Sequence, residues 1–218
     1  KKKKIICSWG QILRNISYKK KYSDNIWALA YNMNHYAGLQ VLLQAFLNFN
    51  ILVDISESKV KNIFLKLKKY KITNISATPT FYRKLLMQSK GKNNILNRIS
   101  VGGEISNKNL FINLKKLFPI AKVLNIYAST EAGTILASKN EKFIIPSKLR
   151  SLVKIKNGML LIHKSIVAKN INGYINKNWY DSKDRVKLNN DGKFVFIGRE
   201  SSFINTGGYK VNPEEIED

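Results

Sequence analysis

Residues 98–133 read RISVGGEISNKNLFINLKKLFPIAKVLNIYASTEAG. The apolar period switches from 2 to about 3.6 and back within this stretch, and the switch decides the fold class. Residues 98–101 are a β-rich run that ends in Gly102-Gly103-Glu104. Ser106 is placed to cap a helix whose apolar face carries Leu110, Phe111, Leu114 and Leu117. Residues 123–127 form a second strand, and a small-residue loop, 128–133, follows it. Strand, helix and strand in this order are the unit from which parallel sheets are built.

The alternation continues upstream. Residues 36–49 read as a buried helix with Leu39, Leu42, Leu43, Phe46 and Leu47 on one face. Residues 51–53 read as a short strand, and residues 58–70 as an amphipathic helix with Val60, Ile63, Phe64 and Leu67 inward. After the β-rich run 72–77, Thr78-Pro79 supplies an N-cap and a proline at the first helical position. The helix that follows buries Phe81, Leu85 and Leu86. Beyond Pro146 the runs are short and β-like: 152–155, 159–163, 185–188 and 194–197. Asn157-Gly158, Asn172-Gly173 and Asp191-Gly192 punctuate them, and residues 189–192 mark a hairpin. The expected class is therefore α/β, a layered α/β subdomain and then a small β-barrel-like one, with a boundary near residues 140–148. Residues 212–215, Asn-Pro-Glu-Glu, have the pattern of a helix start.

Composition removes several alternatives. The apolar share of 44% is that of a folded domain. No run approaches the roughly 18 apolar residues of a membrane span. Cys7 is the one cysteine, which excludes an intrachain disulfide and a multi-cysteine zinc site. The formal charge of +24 comes from 32 Lys and 6 Arg against 14 Asp and Glu. Lysine is spread along the whole chain together with 25 Asn and 27 Ile, a general bias rather than a basic face, so specific nucleic-acid binding is not expected. Loose attraction to polyanions that fades with salt is expected. His163 and the lysine pairs read as structural or solvated positions.

Three loops sit where open α/β folds place ligands, after the carboxyl ends of strands. Gly102-Gly103-Glu104 can lie against a flat ring or a phosphate, or can be a tight strand-to-helix turn. Tyr127-Ala128-Ser129-Thr130-Glu131-Ala132-Gly133 offers an aromatic face, two hydroxyls and one carboxylate, enough to stack a base, bind a phosphate and hold magnesium. The same residues suit a Ser/Thr-capped helix start. Tyr180-Asp181-Ser182-Lys183-Asp184-Arg185 places Asp184 to bond a ribose diol, or makes it a turn aspartate.

Taken in order, Asn34–Leu39 (Asn-His-Tyr-Ala-Gly-Leu), the Gly-Gly-Glu loop, the 127–133 loop, residues 179–186 and Gly198-Arg199-Glu200-Ser201-Ser202 resemble the adenylate-forming superfamily. That superfamily includes acyl- and aryl-CoA ligases, nonribosomal-peptide adenylation domains and luciferase. The resemblance runs from about Ser8 to the C-terminus, and residues 205–217 look more like CoA ligases than like adenylation domains. It implies that Gly102, Gly103 and Glu104 line an adenine pocket, that Tyr127 stacks on adenine, and that Ala128 and Ser129 belong to the same nucleotide loop. Thr130 would contact the α-phosphate and Glu131 would be the magnesium ligand, the two catalytic positions. Asp184 and Arg199 would reach the ribose. His35 would stand at the edge of the acyl pocket, or be a satisfied core histidine. Ser201 would be a hinge, and Gly207 and Gly208 the loop that enters the site for thioester formation.

The implied organisation is residues 1–145 for nucleotide and acyl binding, 146–198 for the small β part, and 199–218 for the hinge and the start of a truncated C-terminal domain. The implied substrates and cofactors are ATP, Mg2+, a carboxylic acid and CoA or a carrier-protein phosphopantetheine, in a cytoplasmic ligase, with fatty-acid metabolism as one setting. A phosphate loop before Trp9 and a catalytic lysine after Asp218 are absent from these residues, so weak or no turnover is expected of them alone. Ala128 and Lys183 stand where glycine is usual, and Ser201 where aspartate is frequent. Two other readings stay open: a non-catalytic remnant or nucleotide-binding module, and a charge-driven polyanion binder.

Overall fold

A computed structural model of the protein describes residues 4–19, 22–89 and 91–202, and the backbone alone of 204–206 and 209–211. Ser8 opens α1 (Trp9–Leu13) with a capping box: its hydroxyl accepts the Gln11 N–H at 3.3 Å, and the Gln11 side chain accepts the Ser8 N–H at 2.9 Å. Then come β1 (Ile26–Leu29), α2 (Tyr36–Leu47), β2 (Ile51–Asp54), α3 (Ile63–Lys69), β3 (Asn74–Ala77) and α4 (Pro79–Met87). The α/β run closes with β4 (Arg98–Gly102), α5 (Lys108–Leu117), β5 (Lys122–Ser129) and β6 (Gly133–Ser138).

These strands form one sheet in the order β2-β1-β3-β4-β5-β6. The first five are parallel, and β6 runs antiparallel to β5. Ile75, Ala77, Ile99, Val101 and Val123 point to one face and bury against Tyr82, Leu85, Leu110, Phe111 and Leu114. Trp27 and Leu29 bury against Val41 and Ala45 of α2 in a smaller cluster. Continuous apolar strands are what a sheet packed between helices requires.

The second sheet is antiparallel, β10-β9-β8-β7, made of β7 (Val153–Lys156), β8 (Met159–His163), β9 (Trp179–Leu188) and β10 (Phe194–Arg199). Asn157 and Gly158 join β7 to β8 with φ of 51° and 69°, the two positive angles that a type I′ turn needs. The hairpin expected at 189–192 is present, closed by Asn189 N–H to the Lys193 carbonyl at 2.7 Å. No closed barrel forms among the described residues. This sheet's core joins Val153, Leu160, Ile162, Val186 and Phe194 to Ala132, Ile135, Leu136 and Phe143, which precede residue 145. A two-stranded ribbon, β11 (Ile204–Thr206) with β12 (Tyr209–Val211), follows. The helix start expected at 212–215 lies outside the described residues.

The mixed α/β class is as expected, four local expectations are corrected and one strand is added. The buried face of α2 is Gly38, Val41 and Ala45, not the expected Leu39, Leu42, Leu43, Phe46 and Leu47, and Phe46 is exposed. The cap of α5 is Asn107, whose side chain accepts the Leu110 N–H at 3.0 Å, not Ser106. The loop 128–133 does not start a helix. The Ser129 hydroxyl accepts the Ala132 N–H at 3.1 Å as a cap would, but Gly133 at φ 69° turns the chain back into β6. Asp184 is not a turn residue: it lies inside β9, which is longer than the expected 185–188. Finally β1, which no sequence expectation covers, is the strand beside which the sheet order reverses.

Candidate functional site

The chain runs from β1 outward to β2 and then crosses back over to β3, so a crevice opens at the carboxyl ends of β1 and β3. A cavity of about 720 Å³ occupies it, within the range of small-molecule sites. Of the residues that the sequence singled out, His35, Gly102, Gly103, Glu104, Tyr127, Ala128, Ser129, Thr130, Glu131, Asp184 and Arg199 all line this one space. Parallel strands bring the loops after β1, β4 and β5 together because their carboxyl ends share an edge. The second sheet supplies Asp184 and Arg199 from adjacent strands, paired in register.

The centre of the arrangement is Tyr127. Its ring stacks on Phe196, with centroids 4.3 Å apart and 17° between planes. Its hydroxyl donates to Asp184 Oδ2 at 2.5 Å, across 57 positions of sequence. Arg199 Nε donates to Asp184 Oδ1 at 3.0 Å. The Arg199 side chain is 56% exposed, so this pair orients the carboxylate more than it stabilises the fold. Ser182 sits behind Asp184: its buried hydroxyl accepts the Asp184 N–H at 3.1 Å and donates to the Leu160 carbonyl at 2.8 Å.

Residues that sequence reasoning missed hold the turn that carries Thr130 and Glu131. The Arg14 guanidinium donates to the Ala132 carbonyl, Asn15 to the Thr134 carbonyl at 2.6 Å, and Gln11 to the Val167 carbonyl at 2.9 Å. The Cys7 thiol lies 3.7 Å from the Thr130 carbonyl, and burial, with Glu131 nearby, pushes that thiol up. The one signal for this brace was the Ser8–Gln11 spacing of a capping box.

Glu104 does more than line the cavity. Its carboxylate accepts from the Thr80 N–H at 2.9 Å and the Thr80 hydroxyl at 2.6 Å, which ties the β4 loop to the first turn of α4. Ser201 is exposed in the 3-10 turn Glu200–Ser202; Ser202, not Ser201, lines the cavity. Gly207 and Gly208 lie outside the described residues.

Burial also shapes the tyrosines. The phenols of Tyr82 and Tyr127 are held well above their ordinary value of 10.0, Tyr127 by burial first and by Asp184 second. Burial pushes Tyr31 up as well, and Tyr180 up to about 12. A phenol with a raised folded value stabilises the fold fully below its unfolded value, and that stability is lost as pH rises through the folded one. Stability is therefore expected to be flat to about pH 10 and then to fall, by about 1.4 kcal/mol per pH unit for each such tyrosine. Thermal unfolding midpoints between neutral pH and about pH 11 check this; a midpoint unchanged above pH 10 would contradict it.

A family model described as AMP-binding enzyme matches residues 2–156. The 2-succinylbenzoate–CoA ligase of Lactococcus lactis subsp. lactis (strain IL1403) is 24% identical over 236 residues, covering 99% of this chain and 51% of that ligase. The mitochondrial acyl-coenzyme A synthetase ACSM4 of Rattus norvegicus is 24% identical over 181 residues, covering 69% of this chain and 31% of the synthetase. The chain thus spans about half the length of the first of these relatives and less of the second. Among solved structures, O-succinylbenzoate coenzyme A synthetase (MenE) from Bacillus subtilis in complex with ATP and magnesium ion superposes with a TM-score of 0.74 at 18% identity. That match covers 98% of this chain and 50% of the synthetase. The match over residues 2–156, more than half of the chain, shows that this protein belongs to the AMP-binding enzyme family.

Proposed function

We propose that this chain carries the nucleotide-binding part of an AMP-forming ligase that activates a carboxylic acid and passes it to a thiol. The observation that carries the reading is the meeting of Tyr127 with Asp184 and Arg199 at the carboxyl ends of the parallel strands. An adenosine monophosphate group fits what is there. The Tyr127 ring offers a stacking surface, and Asp184 offers carboxylate lone pairs for two ribose hydroxyls. Gly103 leaves an open slot: a Cβ built there would have Thr78 Cγ2, 3.8 Å away, as its nearest neighbour. Ala128 and Ser129 continue the wall, and the exposed Thr130 hydroxyl stands at the turn where an α-phosphate would lie.

Glu131 would hold a magnesium ion. One carboxylate together with nucleotide phosphate oxygens is a donor set that magnesium takes readily. Bound there, the ion supplies charge neutralisation of the phosphates. The reaction proposed has two steps. A carboxylate oxygen attacks the α-phosphorus of ATP and the bond to pyrophosphate breaks. The sulfur of CoA or of a phosphopantetheine then attacks the acyl carbon, and AMP leaves. The chain's own residues contribute positioning of the reacting groups in a partly enclosed site.

His35 is proposed for the rim of the acyl pocket, Ser201 for the hinge, and Gly207 and Gly208 for the thiol loop, with the division at 1–145, 146–198 and 199–218. Among the described residues no helix is long and apolar enough to cross a membrane. Carboxylate-dependent exchange of pyrophosphate into ATP tests the reading. In a protein that joins these 218 residues to a phosphate loop and a lysine-bearing C-terminal domain, acid-dependent exchange that Glu131→Gln abolishes is expected; no exchange by that joined protein over a broad panel of acyl and aryl acids would count against ligase function.

A further inference from the structure

Lys183 is the residue of this site with the least comfortable backbone. Its φ of 63° lies in the left-handed region that a side chain disfavours and glycine adopts freely. The reason for the angle is a bulge. Leu161 pairs with Asp181 and Met159 with Arg185, so residues 182–184 of β9 stand opposite Leu160 alone. Ser182 and Asp184, two positions apart, both face inward and are buried as the pleat requires, while the left-handed Lys183 between them turns out.

Asp181 holds this bulge from both sides. Its Oδ1 accepts the Lys183 N–H at 2.8 Å, and its Oδ2 lies 3.0 Å from the Lys183 ammonium. One carboxylate, itself only 5% exposed, thus grips the backbone and the side-chain end of the same lysine. The ammonium also lies 3.5 Å from Glu200 Oε2, while Arg185 reaches Glu200 Oε1 at 2.7 Å. The same Asp181 contact holds the Lys183 ammonium above its ordinary value.

We propose that Asp181 is a positioning residue for the nucleotide: by stapling Lys183 in the left-handed conformation, it keeps the Asp184 carboxylate turned into the cleft toward the ribose. The inference rests on the assignment of Asp184 to the ribose hydroxyls. In this chain the staple does the work that a glycine at position 183 would do without help. A plain surface ion pair would do nothing of the kind, since such pairs are worth little and are easily replaced. The difference here is that the backbone N–H and the ammonium share one buried acceptor.

The test separates the ribose contribution from everything else. The 218-residue protein is titrated with AMP and with 2′,3′-dideoxy-AMP, and the ratio of the two affinities is read. Wild type is expected to prefer AMP by about tenfold or more. Asp181→Ala is expected to erase most of that preference while its affinity for the dideoxy nucleotide stays within about twofold. Adding Lys183→Gly to Asp181→Ala is expected to restore the preference, because glycine takes the left-handed angle unaided. Should Asp181→Ala fail to fold, Asp181→Asn keeps the acceptor for the N–H and loses only the ammonium contact. An intermediate preference is then expected, raised again when Lys183→Gly is added. Equal wild-type affinity for the two nucleotides would overturn the ribose assignment and this inference with it. A wild-type preference that survives in Asp181→Ala, or is not rescued by Lys183→Gly, would overturn this inference alone.

Discussion

Asp184→Ala is expected to weaken AMP binding by about 100-fold. A hydrogen bond to a charged group contributes about 1.5–3 kcal/mol, and each 1.4 kcal/mol is tenfold in affinity. The substitution removes the carboxylate acceptor for two ribose hydroxyls. It also strips the Tyr127 hydroxyl and Arg199 Nε of the partner that they share, so the stacking ring loses its anchor. Asp184→Asn should do less harm, because an amide oxygen still accepts from Tyr127 while the ion pair with Arg199 is lost. Calorimetric titration of both variants measures the effect. Wild-type affinity in Asp184→Ala would show that the nucleotide does not reach this carboxylate.

Phe194→Ala is expected to cost about 3–5 kcal/mol of stability and to lower the melting temperature by roughly 10 °C or more. Phe194 is 1% exposed and lies under the site. Its ring sits 6.0 Å from Phe143 and 5.7 Å from Phe196, and Phe196 carries the stacked Tyr127 ring at 4.3 Å. A cavity at position 194 therefore undermines the surface on which a base would stack, so AMP affinity should fall along with stability. Phe194→Leu fills most of the space and should cost less than about 1.5 kcal/mol. Thermal unfolding of the two variants separates them; equal midpoints would mean that the aromatic column carries no load.

Much of the fold was legible because local chemistry and the tertiary outcome agree. Thr78-Pro79 starts α4 as its residue types require, with the Thr78 hydroxyl accepting the Phe81 N–H at 3.2 Å. Asn157-Gly158 and residues 189–192 make hairpins for the same kind of reason. What was missed lacked punctuation or carried two signals. The four residues of β1, Ile26-Trp27-Ala28-Leu29, follow the turn residues Ser23-Asp24-Asn25, but a run of four is too short to carry a period and becomes a strand through partners on both sides. Ser129 behaves as a cap toward Ala132, so only the left-handed Gly133 separates a hairpin from a helix start. Ser106 and Asn107 are adjacent candidates, and the register of α5 chooses the second.

The candidate site was legible as an ordered set of motifs and not as geometry. Nothing local says that Tyr127 and Asp184 touch, since they lie on different sheets. The bulge at Lys183 is equally silent in the sequence: it exists because β8 and β9 pair out of step around Leu160. The brace of Arg14 and Asn15 on the 130–134 turn, with Gln11 beside it on Val167, is a contact between distant segments, beyond the reach of any periodicity.

A crystal structure of the protein with AMP bears most directly on the central claim. The adenine ring is expected against Tyr127 beside Gly102 and Gly103, with both ribose hydroxyls about 3 Å from the Asp184 carboxylate. AMP bound outside this cleft, or seated in it with its ribose turned away from Asp184, would contradict the claim.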